Sequence, residues 1–378
     1  MRIAWTLWRH VLRELCTYAG IGLLAVGALL VLQNLLRQLE DLLDLGVRAG
    51  DALALLGALV LWLTGYVLPI ALLFGVLVAI GQLSADGEVK AMRSLGVSLA
   101  QLAAPVFVLA LGASGATSFL LTQAEPAARR RMVEIAVEIA GRGGLIQPGV
   151  LSALDRAGER LVLVDARRED GSLRGVFVSD RTDRAHPFVV AAREGELAIA
   201  VESGVAHLRL RDGDLHLEDP SGARAGSQRV SFQSLDYAFD VRAVKLLSQR
   251  RRPREMSEPE LRAALAHFDR TGEAPPGAHE PNRAVYETQL QRRRALPLAP
   301  LVFALLGVPL ALRPSRGARA WGALVCVGVV FAYYTLLSVA EYAAATGVLP
   351  TAFALWSPNL AFAALGCVLL ARARRADS

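Results

Sequence analysis

The chain has 378 residues, 53% of them apolar and 20% charged, with a formal net charge of +6. Soluble domains are about 45–50% apolar, and here the apolar residues gather at the two ends, which excludes a single water-soluble core. The positive balance comes without a basic, aromatic-studded soluble module, which argues against nucleic acid and for a membrane surface or an anionic lipid.

Residues 1–14 hold Trp5, Trp8, Arg2, Arg9 and Arg13, and an apolar run follows over 15–36. That run is too long for a signal peptide and no small-residue cleavage site follows it, so an uncleaved span with interfacial tryptophans is predicted. A second run over 52–83 exceeds the ~20 residues a bilayer needs, so tilt or a kink at Pro69 is expected. A third covers 99–122, with Gly112, Gly115 and Ala116 as a small-residue face for close helix contact. Cys16, Cys326 and Cys367 all lie in or near apolar runs, an odd count that builds neither a disulfide framework nor a metal set.

The pattern then changes from helical to alternating. Segments 161–165, 175–180, 187–192, 196–200, 206–211 and 214–219 each read as a short strand, and 229–241 adds one or two more. Asp170-Gly171-Ser172 and Asp212-Gly213-Asp214 are hairpin-turn signals, and Gly141–Leu145 reads as a turn into this domain. Short strands at this spacing predict a β-sandwich, jelly roll or open barrel. Beyond a basic link at 250–254, Ser257 with Glu260 forms a capping box for a helix over 258–269. Apolar runs over 295–312, 321–344 and 351–371 finish the chain, the first made irregular by Pro297, Pro300 and Pro309.

The predicted fold is therefore six transmembrane helices, arranged 3+3, with a β domain between helices 3 and 4. Residues 1–124 carry the first three spans, 125–290 the β domain with a short helical linker, and 291–378 the last three. With the N-terminus in the cytoplasm, the short inside segments hold Arg2, Arg9, Arg13, Lys90, Arg93, Arg313, Arg316, Arg319, Arg372, Arg374 and Arg375, against Arg37 and Arg48 outside. This positive-inside bias puts both termini in the cytoplasm and the β domain across the membrane.

Two polar features stand out. Residues 84–98 are a cytoplasmic connection with Asp86, Glu88, Lys90 and Arg93 closing on Gly96. It reads either as a small helix docking into a groove on an energy-supplying ATPase or as a solvated polar turn. On the opposite side, Arg129, Arg130, Arg131, Arg292, Arg293 and Arg294, with Arg37, form a candidate basic collar. It suits phosphates on a lipid head group, or it is a ring of arginines snorkelling to bulk lipid. Glu341 is the one carboxylate within an apolar run, and an interfacial position is the plainer account of it. There is no P-loop, zinc-protease or nucleophile-elbow motif. His207 and His216 lie on neighbouring predicted strands, as solvent-facing residues or a metal pair.

Three features taken in order resemble the lipopolysaccharide-export permeases of the LptF/LptG type. They are the 3+3 spans around a β domain, the stretch with Glu88, Ala91, Met92, Gly96 and Ser98, and the re-entry RRRALPLAPLVFALLGVPLAL at 292–312. The arginine-led, proline-rich fourth span leans towards LptF. The resemblance implies an inner-membrane permease subunit whose β domain, between helices 3 and 4, is a periplasmic β-jelly-roll-like insert, paired with a paralogous permease as an LptF/LptG heterodimer. A cytoplasmic ABC ATPase dimer would use ATP and Mg, with no cofactor or metal on this chain. A periplasmic jelly-roll bridge protein and a single-span adaptor would complete the system. It also implies that Glu88 is the coupling carboxylate and that Arg293 meets phosphates or core sugar acids. Leu208, Leu210, Leu215 and Leu217 would shelter acyl chains. Two rival readings are a membrane-anchored envelope scaffold and a lipid-modifying protein without transport activity.

Overall fold

The computed structural model describes residues 2–44, 49–139, 149, 152–153, 159–168, 171–183, 186–200, 205–217, 228–240, 252–312 and 318–375. The turn predicted at Gly141–Leu145, Asp170, Arg48, Arg313, Arg316 and the side chains of Arg37 and Arg319 lie outside the described residues. Two compact units are present, a helical one (Met1–Asn34, Gly57–Arg130, Arg251–Ser378) and a second one (Leu35–Leu56, Arg131–Arg250) that holds the sheet. Six helical stretches are long and apolar enough to cross a membrane: Leu7–Leu36, Gly50–Ala85, Leu99–Ile135, Arg283–Ala311, Ala320–Ala345 and Thr351–Ala373.

The elements of the first half are α1 (Arg2–Asp44), α2 (Ala49–Ala85), α3 (Glu88–Ser94), α4 (Leu99–Phe119), a π-helical turn at Leu120–Ala124 and α5 (Glu125–Ile139). After the strands come α6 (Glu258–Thr271), α7 (Arg283–Ala295), a 3-10 turn at Leu296–Leu298, α8 (Ala299–Ala311), α9 (Ala318–Ala345) and α10 (Thr351–Arg375). The capping box is as predicted, with the Ser257 N–H donating to Glu260 Oε2 at 2.6 Å. The fourth span is less irregular than its prolines foretell. Pro297 and Pro300 fall in the opening positions of the 3-10 turn and of α8. A missing N–H costs nothing there.

One apolar core joins Val11 and Leu15 of α1 to α2, α3, α4, α8, α9 and α10. The α2 and α7–α8 spans are mostly enclosed, whereas α1, α9 and α10 leave most of their apolar surface open, as lipid or a neighbouring helix would require. Close helix approach occurs elsewhere than predicted. Gly112 and Gly115 have open space where a Cβ would stand, and Ala116 is exposed. The tight crossings are Gly75 on Ala19, Gly307 on Val76 and Gly366 on Leu305, where an added Cβ would come within 2.8, 3.0 and 3.0 Å. Helix handedness and length can be read locally, but the side of a span that faces protein depends on neighbours distant in sequence.

The second unit is one antiparallel sheet in chain order, β1 (Ser152–Ala153), β2 (Arg160–Arg167), β3 (Leu173–Asp180), β4 (Phe188–Ala200), β5 (Val205–Leu217) and β6 (Gln228–Asp240). The turn around Gly171 joins β2 to β3 as predicted, with Gly171 at φ 87°. Asp212-Gly213-Asp214 is not a turn. β5 runs straight through it, and β4 likewise fuses the segments predicted at 187–192 and 196–200.

The reason is a crease. Among the described residues the ladders lack the pairs their registers would place at Asp165/Gly175, Gly175/Arg193, Arg193/Asp212 and Asp212/Gln233, one row across the sheet. Across that row the inward parity slips by one in neighbouring strands. It passes from Leu173 to Val176 in β3, from Ala192 to Leu197 in β4, from Leu210 to Leu215 in β5 and from Phe232 to Leu235 in β6. Because the strands slip together, the register survives and both halves keep their apolar side on one core. Gly175 (φ 62°) and Asp212 (φ 51°) supply the backbone for it, and a Cβ on Gly213 would stand 2.5 Å from the Ala191 carbonyl. A slip in alternation looks like a strand boundary in sequence.

One buried carboxylate ties this unit together. Asp180, 6% exposed, accepts from Arg160 Nε at 3.0 Å, from the Thr182 N–H at 2.9 Å and from the Tyr237 hydroxyl. Burial opposes its ionisation, but the hydrogen bonds from Thr182, Tyr237 and Arg160 outweigh it and hold the carboxyl below its usual range. A depressed folded pKa contributes stability that is complete above the unfolded value and is lost as pH falls through the folded one. Acid titration of the full chain, followed by its strand circular dichroism, is therefore expected to lose this contribution below about pH 4. Asp180→Asn should flatten that dependence; an unchanged profile would remove Asp180 as its source.

Candidate functional site

The first candidate site is α3. Gly87, at φ 78°, turns the chain out of α2, and Gly96, at φ 87°, turns it towards α4. Ser98 then caps α4 in a box with Gln101, its N–H donating to Gln101 Oε1 at 3.0 Å. Between these stops, Val89 and Met92 are buried in the helical core while Glu88, Lys90 and Ala91 stay exposed. Met92 thus anchors α3 instead of lining its open face. Leu95, 82% exposed, joins that face and went unnoticed in sequence, where a leucine beside a glycine stop reads as packing. Glu88 Oε2 lies 3.5 Å from His10 Nε2 of α1.

The second site lies about 28 Å along α2 from its α3 end, at Tyr66. Glu125, 1% exposed, follows the π-helical turn directly. It accepts from the Tyr66 hydroxyl at 3.0 Å and from Arg129 Nε at 3.0 Å. The Arg129 guanidinium stacks 4.0 Å from the Trp62 ring centroid. Arg292 pairs with Glu341 (Nε to Oε1, 3.2 Å) and lies over the Tyr66 ring. Arg293, 2% exposed, donates through Nη2 to the Arg254 carbonyl, and its Nε and Nη1 find no hydrogen-bond partner among the described residues. A cavity of about 540 Å³ opens here, with Arg252, Arg254, Arg292, Thr288, His279 and Glu341 in its lining.

The geometry sorts the predicted collar. Arg130 is held by Glu260 and the Glu255 carbonyl, Arg131 by Glu134 and Arg294 by Glu258. Burial opposes ionisation of Glu258, but the hydrogen bonds from Arg262 and Arg294 prevail and keep its carboxyl below the usual range. Arg252 and Arg254 join the cavity instead. Their place was hidden in sequence because residues 250–254 read as a linker. In and beside this cavity stand Arg129, Arg252, Arg254, Arg292 and Arg293, against the carboxylates of Glu125, Glu280 and Glu341, an arginine-rich surround. An incompletely paired guanidinium in a buried place is costly, and an anion would complete it.

In the β unit, Leu208 and Leu210 are fully buried, Leu215 packs on the same core and Leu217 is partly buried two residues on. Strict alternation would put Leu208 and Leu210 on the opposite face from Leu215 and Leu217. The slip at Asp212 brings them together.

Six spans, a β insert and polar sites at both ends of the helical unit make the overall arrangement. A family model described as lipopolysaccharide export system permease LptF/LptG matches residues 9–372. The chain belongs to the LptF/LptG family. It is a multi-pass inner-membrane protein and a transporter subunit of a lipopolysaccharide export system. The match treats LptF and LptG jointly and takes in both candidate sites. No curated protein matches this permease at a significant level.

Proposed function

We propose that this permease is the membrane subunit of an ABC transporter that extracts lipopolysaccharide from the inner membrane and passes it to a periplasmic bridge. ATP hydrolysis, with Mg, takes place in a separate cytoplasmic dimer that docks on α3. The arginine count of the short loops supports this orientation, with both termini and α3 in the cytoplasm and the β unit in the periplasm. A paralogous permease completes the cavity, and a jelly-roll bridge protein with a single-span adaptor receives the lipid.

The observation that carries this reading is the arginine-rich cavity lined by Arg252, Arg254 and Arg292 against Glu280 and Glu341, with the incompletely bonded Arg293 donating to the Arg254 carbonyl. Guanidinium groups in that setting suit the phosphates of a lipid head group. The apolar core side of β4 and β5 then offers shelter to acyl chains, whose exposure to water costs about 0.8 kcal/mol per CH₂. That cost is why extraction needs both fuel and a covered path.

Purification of the tagged chain from detergent is expected to recover an ATPase and a second permease. Proteoliposomes of that complex should release lipopolysaccharide to a periplasmic acceptor only with ATP. Recovery without an ATPase would favour a scaffold, and nucleotide-free release would refute the reading. Arg293 gives a sharper test. Arg293→Met is expected to be as stable as the parent or more so, by about 1–4 kcal/mol, because it removes a partly unpaired buried charge. Its photo-crosslinking to lipopolysaccharide should fall about tenfold or more. Undiminished crosslinking would return the arginine to a purely structural role.

A further inference from the structure

The coupling reading leaves open how a push on α3 reaches the rest of the helical unit. The contacts of α1 answer this. His10 meets Glu88 at 3.5 Å. Val11, the next residue, and Leu15, just over one turn on, are 1% and 0% exposed and share the core with Val89 and Met92 of α3. The Tyr18 hydroxyl donates to Gln82 Oε1 at 3.2 Å, just before α3 in the chain. Gly75 then lets α2 close on Ala19, where a Cβ would stand 2.8 Å from the Ala19 backbone nitrogen, and Gly22 closes on Phe74 in the same way. Past this stretch α1 keeps one half-buried face and opens the other. Leu24, Leu29 and Leu32 of α1 are 75%, 64% and 52% exposed.

We infer that α1 is the arm driven by α3, clamped most tightly over His10–Gly22, with His10 as the positioning residue that seats Glu88. The physical basis is stiffness. Close-packed interiors yield little, so a displacement of α3 is passed to the helix interlocked with it. A continuous helix carries that displacement along its length to the open face at Leu24, Leu29 and Leu32. Along the chain α2 reaches α3 through Asp86 and Gly87, with Gly87 at φ 78°, and Ile80 and Leu83 of α2 share the same core. The crossing at Gly75 locks α1 to α2, so the side-chain contacts of α1 carry the push into the helical unit. This inference rests on the reading of α3 as the docking helix.

The test uses the complete permease–ATPase complex in proteoliposomes and reads lipopolysaccharide delivered per ATP hydrolysed. His10→Ala is expected to lower that yield about 3- to 10-fold with the ATPase rate retained. His10→Gln keeps a donor for Glu88 and should restore most of it. A merely structural role for His10 would move neither ratio, since the residue is half-exposed. A second measurement uses spin labels at Leu29→Cys and Leu365→Cys with the three native cysteines replaced. Nucleotide should shift that distance by about 2–5 Å in the parent and by much less in Gly75→Val, which wedges α1 from α2. No shift in the parent, or an equal shift in Gly75→Val, overturns the arm. So does normal yield in His10→Ala. If Glu88→Ala uncouples while these variants behave as the parent, the arm alone fails. If Glu88→Ala also transports normally, the docking reading fails and the arm falls with it.

Discussion

A Glu88→Ala permease is expected to insert and fold normally and yet to lose transport by about tenfold or more, a coupling loss of about 1.4 kcal/mol or greater. The two halves of that expectation come from different physics. Glu88 is half-exposed and lies 3.5 Å from the half-exposed His10. Alanine also favours helix, so the stability change should stay within about 0.3–1 kcal/mol, the scale of a carboxylate at a helix N-terminus. Docking on a soluble motor is another matter. A carboxylate desolvated against a partner's cation is a contact whose removal costs far more than its loss in the free chain. Measuring ATP hydrolysis and lipid delivery separately decides the point. Continued hydrolysis with lost delivery assigns Glu88 to coupling, whereas delivery within twofold of the parent withdraws that role.

The second large effect is expected at Glu125. Its carboxylate is 1% exposed and receives the Tyr66 hydroxyl and Arg129 Nε. Glu125→Ala strips the acceptor from both and leaves the Arg129 guanidinium, mostly enclosed, with only the Trp62 ring. Breaking a buried pair from one side costs about 3–5 kcal/mol. Glu125→Gln keeps an acceptor for Tyr66 and loses only the charge, so about 1.5–3 kcal/mol is expected. Unfolding in mixed detergents should resolve the two. A Glu125→Ala protein as stable as its parent would show the cluster to be solvated and not sealed. Because the same cluster adjoins the cationic cavity through Tyr66 and Arg292, lipid crosslinking should weaken in parallel.

Much of this protein was legible in advance because it depends on local periodicity. A bilayer's thickness sets how long a run must be, and the runs around Pro69, Pro309 and Glu341 met that length. Ser257 and Glu260 lie one helical turn apart, so their cap could be read from spacing alone. The polar stretch with Glu88 and Gly96 stood out between two apolar runs for the same reason. The sheet misled only where alternation slipped. Asp212-Gly213-Asp214 has the composition of a hairpin turn and the structural role of a crease, and no local rule separates the two.

The amino-acid order by itself therefore determined the spans, the β insert and the two places where charge gathers. Only the tertiary structure decided which arginines are spent on which carboxylates, since Arg130 meets Glu260 and Arg292 meets Glu341 across long stretches of chain. It also decided that, within this chain, helices close on each other at Gly75. Burial patterns repeat with the period of the backbone and survive in one dimension. Pairing of charges and the fit of one helix on another are properties of three-dimensional neighbours, and those are settled only when the chain closes on itself.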